Sequence, residues 1–246
     1  MLKSLNRIFT LTKRNLKEIL RDPLSLVFML GLPLLMELLF YFLFQNMTNQ
    51  FEMKYLAPGI VVFSEAFLTL FTGLLISLDR NSSFLTRLYV TEAKSYEFIF
   101  SYTLSILPLT IIQSILFFIV GGIIDSSIIT ISIIPTILLS ILTSLLFIGF
   151  GILFGSLCNE KSIGGVSSIV IVGQSVLSGM WFPIDGLSGG FVKLMDILPF
   201  RNATTLLQNT LNGSGDLLKP ILIILGYTII IFSIAVIIFR NKMKSK

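Results

Sequence analysis

Two acidic residues, Glu37 and Glu65, fall inside long apolar runs, where an ionisable side chain is costly and ordinarily faces a cavity or a partner. Each lies about eight residues from the outer end of its run, a depth of about 12 Å at about 1.5 Å per residue, which predicts one shared polar layer. Such a layer suits a polar contact with a molecule crossing the bilayer. The structural alternatives are hydrogen bonding to Ser64, Gln113 or Gln174, and subunit pairing. Phe40 and Phe67, with Tyr41, Phe42, Phe44, Phe63 and Phe71, crowd the same region. They suit an apolar or amphipathic ligand, and equally ordinary packing or lipid contact.

Other chemistry is excluded by residue type. Histidine is absent, so His-dependent triads and His-based metal sites are ruled out. No cluster of Cys, Asp and Glu has metal-ligand spacing, and no intrachain disulfide is possible with Cys158 as the one cysteine. A Gly-x-x-x-x-Gly-Lys-Ser/Thr phosphate loop is missing, so no nucleotide site is encoded.

The elements that position these residues follow from hydropathy. Of 246 residues, 54% are hydrophobic and 13% charged, against about 25% charged in soluble domains. Apolar runs at 24–45, 57–78, 98–121, 131–157, 164–183 and 217–239 are each long enough to cross a core of about 30 Å. The predicted fold is therefore an all-α integral membrane protein with six transmembrane helices in one domain, 23–240. Residues 1–22 carry Lys3, Arg7, Lys13, Arg14, Lys17 and Arg21, with apolar residues at helical spacing, and form an amphipathic cytoplasmic interfacial helix. A signal peptide is disfavoured by the long charged region and the missing cleavage site.

Fourteen of the 18 basic residues fall on the side that holds both termini, including the basic tail 241–246, so both termini are expected in the cytoplasm of a plasma-membrane protein. That placement also accounts for the basic excess without nucleic acid. Reading 184–213 as a seventh span would bury Lys193, Asp196 and Arg201 in lipid, at about 2.5–3.5 kcal/mol per central charge. It is expected instead to be an external re-entrant pair of short helices, broken at Pro199, packed on protein or a watery cavity. Gly151 with Gly155, and Ser175 with Gly179, are small-residue pairs suited to close helix packing.

Two segments carry a more specific order. The loop after the second run has Asp79 and Arg80, a spacer, Arg87 and Leu88, then Thr91 and a charged exit; a short surface helix there would group Phe84, Leu85, Leu88 and Tyr89. The segment after the fifth run has Ser178-Gly179, Trp181, Phe182 and Pro183, then Leu198-Pro199 leading into an amphipathic stretch. With the amino-terminal helix and Tyr55 to Ile60, these resemble the type-2 ABC exporter permease family over nearly the whole chain.

The resemblance implies a half-transporter that pairs with a second permease, identical or not, and with ATP-binding-cassette ATPase subunits that use the ATP and Mg; no cofactor is held on this chain. It implies that about 79–94 is the coupling helix. Arg80 and Arg87 would touch the ATPase, Phe84 and Leu88 would fill its groove, and Asp79 would cap that helix or pair with Arg80. Phe84 and Leu85, followed by Thr86, stand where many relatives have Gly-Thr. The expected function is export of a hydrophobic drug, peptide antibiotic or lipid-like molecule, with a lipid-linked cell-envelope glycan as second cargo. Readings of another class are an ion-coupled secondary transporter using Glu37 and Glu65, for which no matching repeat is found, and a non-transporting membrane immunity protein.

Overall fold

A computed structural model describes residues 2–82, 94–182 and 184–244, and nine α-helices carry the path of the chain through these described residues. They are α1 (Leu2–Leu20), α2 (Pro23–Phe44), α3 (Met53–Asn81), α4 (Ser95–Ile124), α5 (Ile133–Leu157), α6 (Glu160–Leu177), α7 (Gly189–Ile197), α8 (Pro199–Asn212) and α9 (Leu218–Lys244). Five of these, α2, α3, α4, α5 and the Leu218–Asn241 part of α9, are long and apolar enough to cross a membrane.

The run expected at 164–183 is not among the five. Its helix spans Glu160–Leu177, carries Glu160, Lys161 and Gln174, and stops at Ser178, because Gly179 takes a left-handed φ of 74° that turns the chain. Gly179 therefore sits in a turn and forms no helical packing pair with Ser175. A methyl group at Gly179 would lie 2.8 Å from Ile184 Cδ1, so the turn has no room for a side chain either.

Local sequence sets several of the helix ends. Asp22 caps α2 through the Ser25 amide, with Pro23 in the first turn. Within α2 a π-turn at Val27–Gly31 precedes Pro33, whose ring and missing N–H disfavour regular bonding one turn back. Asn159 caps α6 through the Ser162 amide at 3.0 Å, and Gly213 closes α8 in the left-handed region.

The centre of the bundle is α3, buried along most of its length, with α5 running parallel to it. Their contact is close to the backbone. Thr69 Oγ1 donates to the Phe147 carbonyl at 3.0 Å. One turn further, a methyl group at Gly151 would lie 2.5 Å from Thr72 Cβ and 2.8 Å from the Thr69 carbonyl. At Gly155 it would lie 2.8 Å from the Gly73 carbonyl. The Gly151/Gly155 pair is thus a packing device, as its spacing predicts.

Depth along α3 orders the rest. Arg80 near one end meets the chain at Cys158, Gly73 meets Ile163 of α6, and Gly59 at the other end meets Met180 just past α6. α6 therefore runs antiparallel to α3 for most of its length. The end carrying α1, Arg80 and the start of α6 is the basic end; the end carrying Met53 is the far end.

α8 returns into the bundle alongside α3. Its Asn212 and Gln208 donate to the Lys54 and Tyr55 carbonyls at 3.1 and 2.9 Å at the far end, whereas Phe200 stacks on Phe147 and Phe150 well inside. Pro58 explains the first contact: a proline lacks the N–H that would bond four residues back, so the Lys54 carbonyl is free to accept from Asn212.

Candidate functional site

The basic end of α3 is tied to three other helices. Arg14 of α1 donates through Nη1 and Nη2 to the two oxygens of Asp79 at 2.5 and 2.6 Å, and Tyr102 of α4 donates its hydroxyl to Asp79 Oδ2 at 2.7 Å. Asp79 is buried, and this two-point fork plus a phenol satisfies it. Burial works against the Arg14 charge, but the hydrogen bonds and charge of Asp79 outweigh it and hold the guanidinium above its ordinary range. Glu18, one turn along α1, adds a 2.7 Å contact to Arg14, while burial pushes the Glu18 carboxyl up. A second bridge from α1 to α4 joins Arg7 Nε and Glu97 Oε2 at 3.0 Å.

Arg80 turns the other way. Its Nη1 donates to the carbonyls of Gly155, Ser156 and Cys158 at 2.7, 2.7 and 3.1 Å. The last carbonyls of a helix have no intrahelical donor and carry partial negative charge, so a cation at the end of α5 is the matching partner. Asp79 and Arg80 are therefore not paired with each other: adjacent residues on α3 face different helices, and each finds a complementary group there. Phe84, Arg87, Leu88 and the rest of the expected coupling segment at 83–93 lie outside the described residues, as does Pro183.

At the far end the expected aromatic residues meet in one cluster. Trp181 lies 4.2 Å from Phe40 and 5.7 Å from Phe63 between ring centroids; Phe63 contacts Phe67 edge-on at 5.4 Å, and Phe40 packs on Phe44 and Phe51. The turn holding Trp181 is fixed by Gln50, whose Nε2 donates to the Gly179 and Phe182 carbonyls at 3.3 and 2.7 Å. Residues assigned from sequence to two regions, Phe40 and Phe67 on one side and Trp181 on the other, thus form one continuous aromatic surface.

The acids do not share a layer. Glu37 is fully buried opposite Gly121, where a methyl group would lie 3.2 Å from Glu37 Oε1 and 3.2 Å from Met53 Cγ, so Glu37 is level with the first residue of α3. Glu65 lies twelve residues further along, about 18 Å deeper at about 1.5 Å per residue. The depth count misplaces them because the chain runs past the start of α3 before Phe51 folds back under Phe44 and Phe40. Both carboxyl groups are enclosed within the protomer, and none of their four oxygens has a hydrogen-bond partner among the described residues. The proposed partners are engaged elsewhere or unengaged: Ser64 donates to the Val61 carbonyl, Gln174 donates to Thr204, and the Gln113 amide has no partner. Thr143 is the polar neighbour of Glu65, and its hydroxyl donates to the Ser140 carbonyl at 3.0 Å.

Sequence reasoning missed Arg14, Tyr102 and Gln50. Arg14 is one of five basic residues in α1, and Tyr102 sits inside an apolar run; nothing local marks either as an Asp79 partner. Among the described residues no group of acids and cysteines is arranged to hold a metal.

This arrangement is that of a multi-pass helical membrane protein whose one end is cross-braced around the exit of α3. The model of the ABC-2 type transporter family matches residues 6–212, and the chain belongs to that family. It is the membrane-spanning permease component of an ATP-binding-cassette transporter, and family membership implies an ABC ATPase as partner. A search of curated proteins finds no match.

Proposed function

We propose that this permease exports a hydrophobic or amphipathic molecule across the plasma membrane, driven by ATP and Mg in a separate ATPase that docks at the cytoplasmic basic end. In this reading α6 is the core of a sixth crossing, since the chain from Cys158 to Met180 passes from the level of Arg80 to that of Gly59 of α3, about 31 Å at about 1.5 Å per residue, and α7 with α8 forms an external re-entrant pair. Two copies, or this chain and a second permease, complete the pathway.

The observation that supports coupling is the position of Asp79 and Arg80. They precede residues 83–93 directly and are joined to α1, α4 and α5. A push on 83–93 by a closing ATPase therefore reaches four helices at once, as rigid-body transmission requires. The aromatic surface of Phe40, Phe63, Phe67 and Trp181 at the far end supports an apolar or amphipathic cargo.

The test uses inside-out membrane vesicles holding the permease with its ATPase and an amphipathic fluorescent dye. ATP-dependent dye accumulation, abolished by Arg87→Ala with complex assembly or coupled hydrolysis impaired, is the expected result. A chain that associates with no ATPase, or residues 79–82 labelled by an impermeant reagent from outside the cell, overturns the reading.

A further inference from the structure

We infer that the groove between α1 and the start of α4 is a binding site for one anionic phospholipid of the cytoplasmic leaflet. The groove has a volume of about 560 Å³ and two chemically distinct ends. Lys3, Arg7, Lys94, Ser4 and Tyr96 form a polar rim, while Phe9, Phe100 and Leu104 form an apolar floor.

Charge decides the headgroup. Glu97 is the one carboxylate among the lining residues, and Arg7 takes it in a two-point contact at 3.0 and 3.1 Å. Lys3 and Lys94 are exposed and form no ion pair among the described residues, so the described lining residues carry an excess of two positive charges. Ser4 and Tyr96, within 3.3 Å of each other, add hydroxyl groups at the same rim. A phosphodiester between the two ammonium groups would satisfy this set.

The floor decides that the ligand has a chain. Phe9 is 66% exposed, Phe100 56% and Leu104 39%, and the last two lie one turn apart on a membrane-crossing helix. An aqueous anion would leave this surface unused, whereas an acyl chain lying against Phe100 and Leu104 continues into the bilayer core. Basic pockets between helices at the cytoplasmic membrane surface bind anionic headgroups for this reason.

The inference takes only the orientation of the membrane from the proposed function, and its test needs no ATPase, so either can fail alone. The purified full chain in detergent is titrated with phosphatidylglycerol or phosphatidylcholine and lipid adducts are counted by native mass spectrometry. Each lysine near a membrane surface contributes about fivefold to anionic-lipid affinity, so Lys3→Ala/Lys94→Ala is expected to weaken phosphatidylglycerol binding about 25-fold. Phosphatidylcholine should bind weakly to both forms, and Lys13→Ala/Lys17→Ala, which removes equal charge from a separate groove nearer the other end of α1, should retain the tight adduct. Equal losses in both double variants, or equal displacement by inorganic phosphate, would overturn the proposal, the first by showing diffuse charge attraction and the second a free-anion site.

Discussion

Arg14 of the amino-terminal helix and Asp79 at the end of α3 form a two-point guanidinium–carboxylate contact, 65 residues apart in sequence and 2.5 to 2.6 Å apart in space. Breaking a buried pair by removing one partner costs about 3–5 kcal/mol, and 33% exposure of the Arg14 side chain lowers this toward about 2 kcal/mol. Asp79→Asn should therefore reduce the unfolding temperature in detergent while helical content is kept. A double-mutant cycle of Asp79→Asn with Arg14→Gln should show a coupling energy above about 1 kcal/mol; additive losses would dissolve the contact.

Gly151→Ala and Gly155→Ala place a methyl group into backbone and side-chain atoms of α3, so each is expected to lose about 2–3 kcal/mol, the upper end of overpacking effects. Gly226→Ala on α9 meets nothing within 4 Å and serves as the control. Thermal unfolding of the three purified variants checks the order.

Glu37 and Glu65, about 18 Å apart in depth, are expected to act separately. Glu37→Gln and Glu65→Gln should then combine additively, within about 0.5 kcal/mol, in stability and in substrate-stimulated ATP hydrolysis. A coupling above 1 kcal/mol would place them in one site after all.

Trp181 is the chain's one tryptophan and touches Phe40 and Phe63. Its emission should be quenched by an amphipathic substrate, and Phe40→Ala should shift the emission and weaken the quenching. Emission that ignores both substrate and Phe40→Ala would remove the aromatic surface from the pathway.

Asp22 gives a pH-dependent contribution. Hydrogen bonds from the Ser25 side chain and amide hold its carboxyl below the ordinary value of 3.8, so its capping contribution is complete above that value and fades as pH falls through the lowered one. Asp22→Ala should cost about 1 kcal/mol at neutral pH and progressively less in acid. Unfolding temperatures measured against pH give the difference curve.

The apolar runs made the helices legible, and the order of Asp79, Arg80, Trp181 and Pro199 made the family legible. What periodicity does not carry is which residues meet. Arg14 and Tyr102 reach Asp79 through packing angles that no spacing encodes, and Phe51 beneath Phe44 offsets α2 from α3, so equal counts from a loop do not give equal depths. Glu160, Lys161 and Gln174 likewise dilute α6, a helix whose place is set by contacts with α3 rather than by its own hydropathy.

Arg80 grips the final carbonyls of α5 while Gly151 and Gly155 hold the two backbones together higher up. Axial sliding of one helix past the other would break the lower attachment and drive the upper surfaces into collision, whereas joint tilting disturbs neither. The pair is therefore expected to tilt as one body, and the permease contains fewer moving bodies than it has helices.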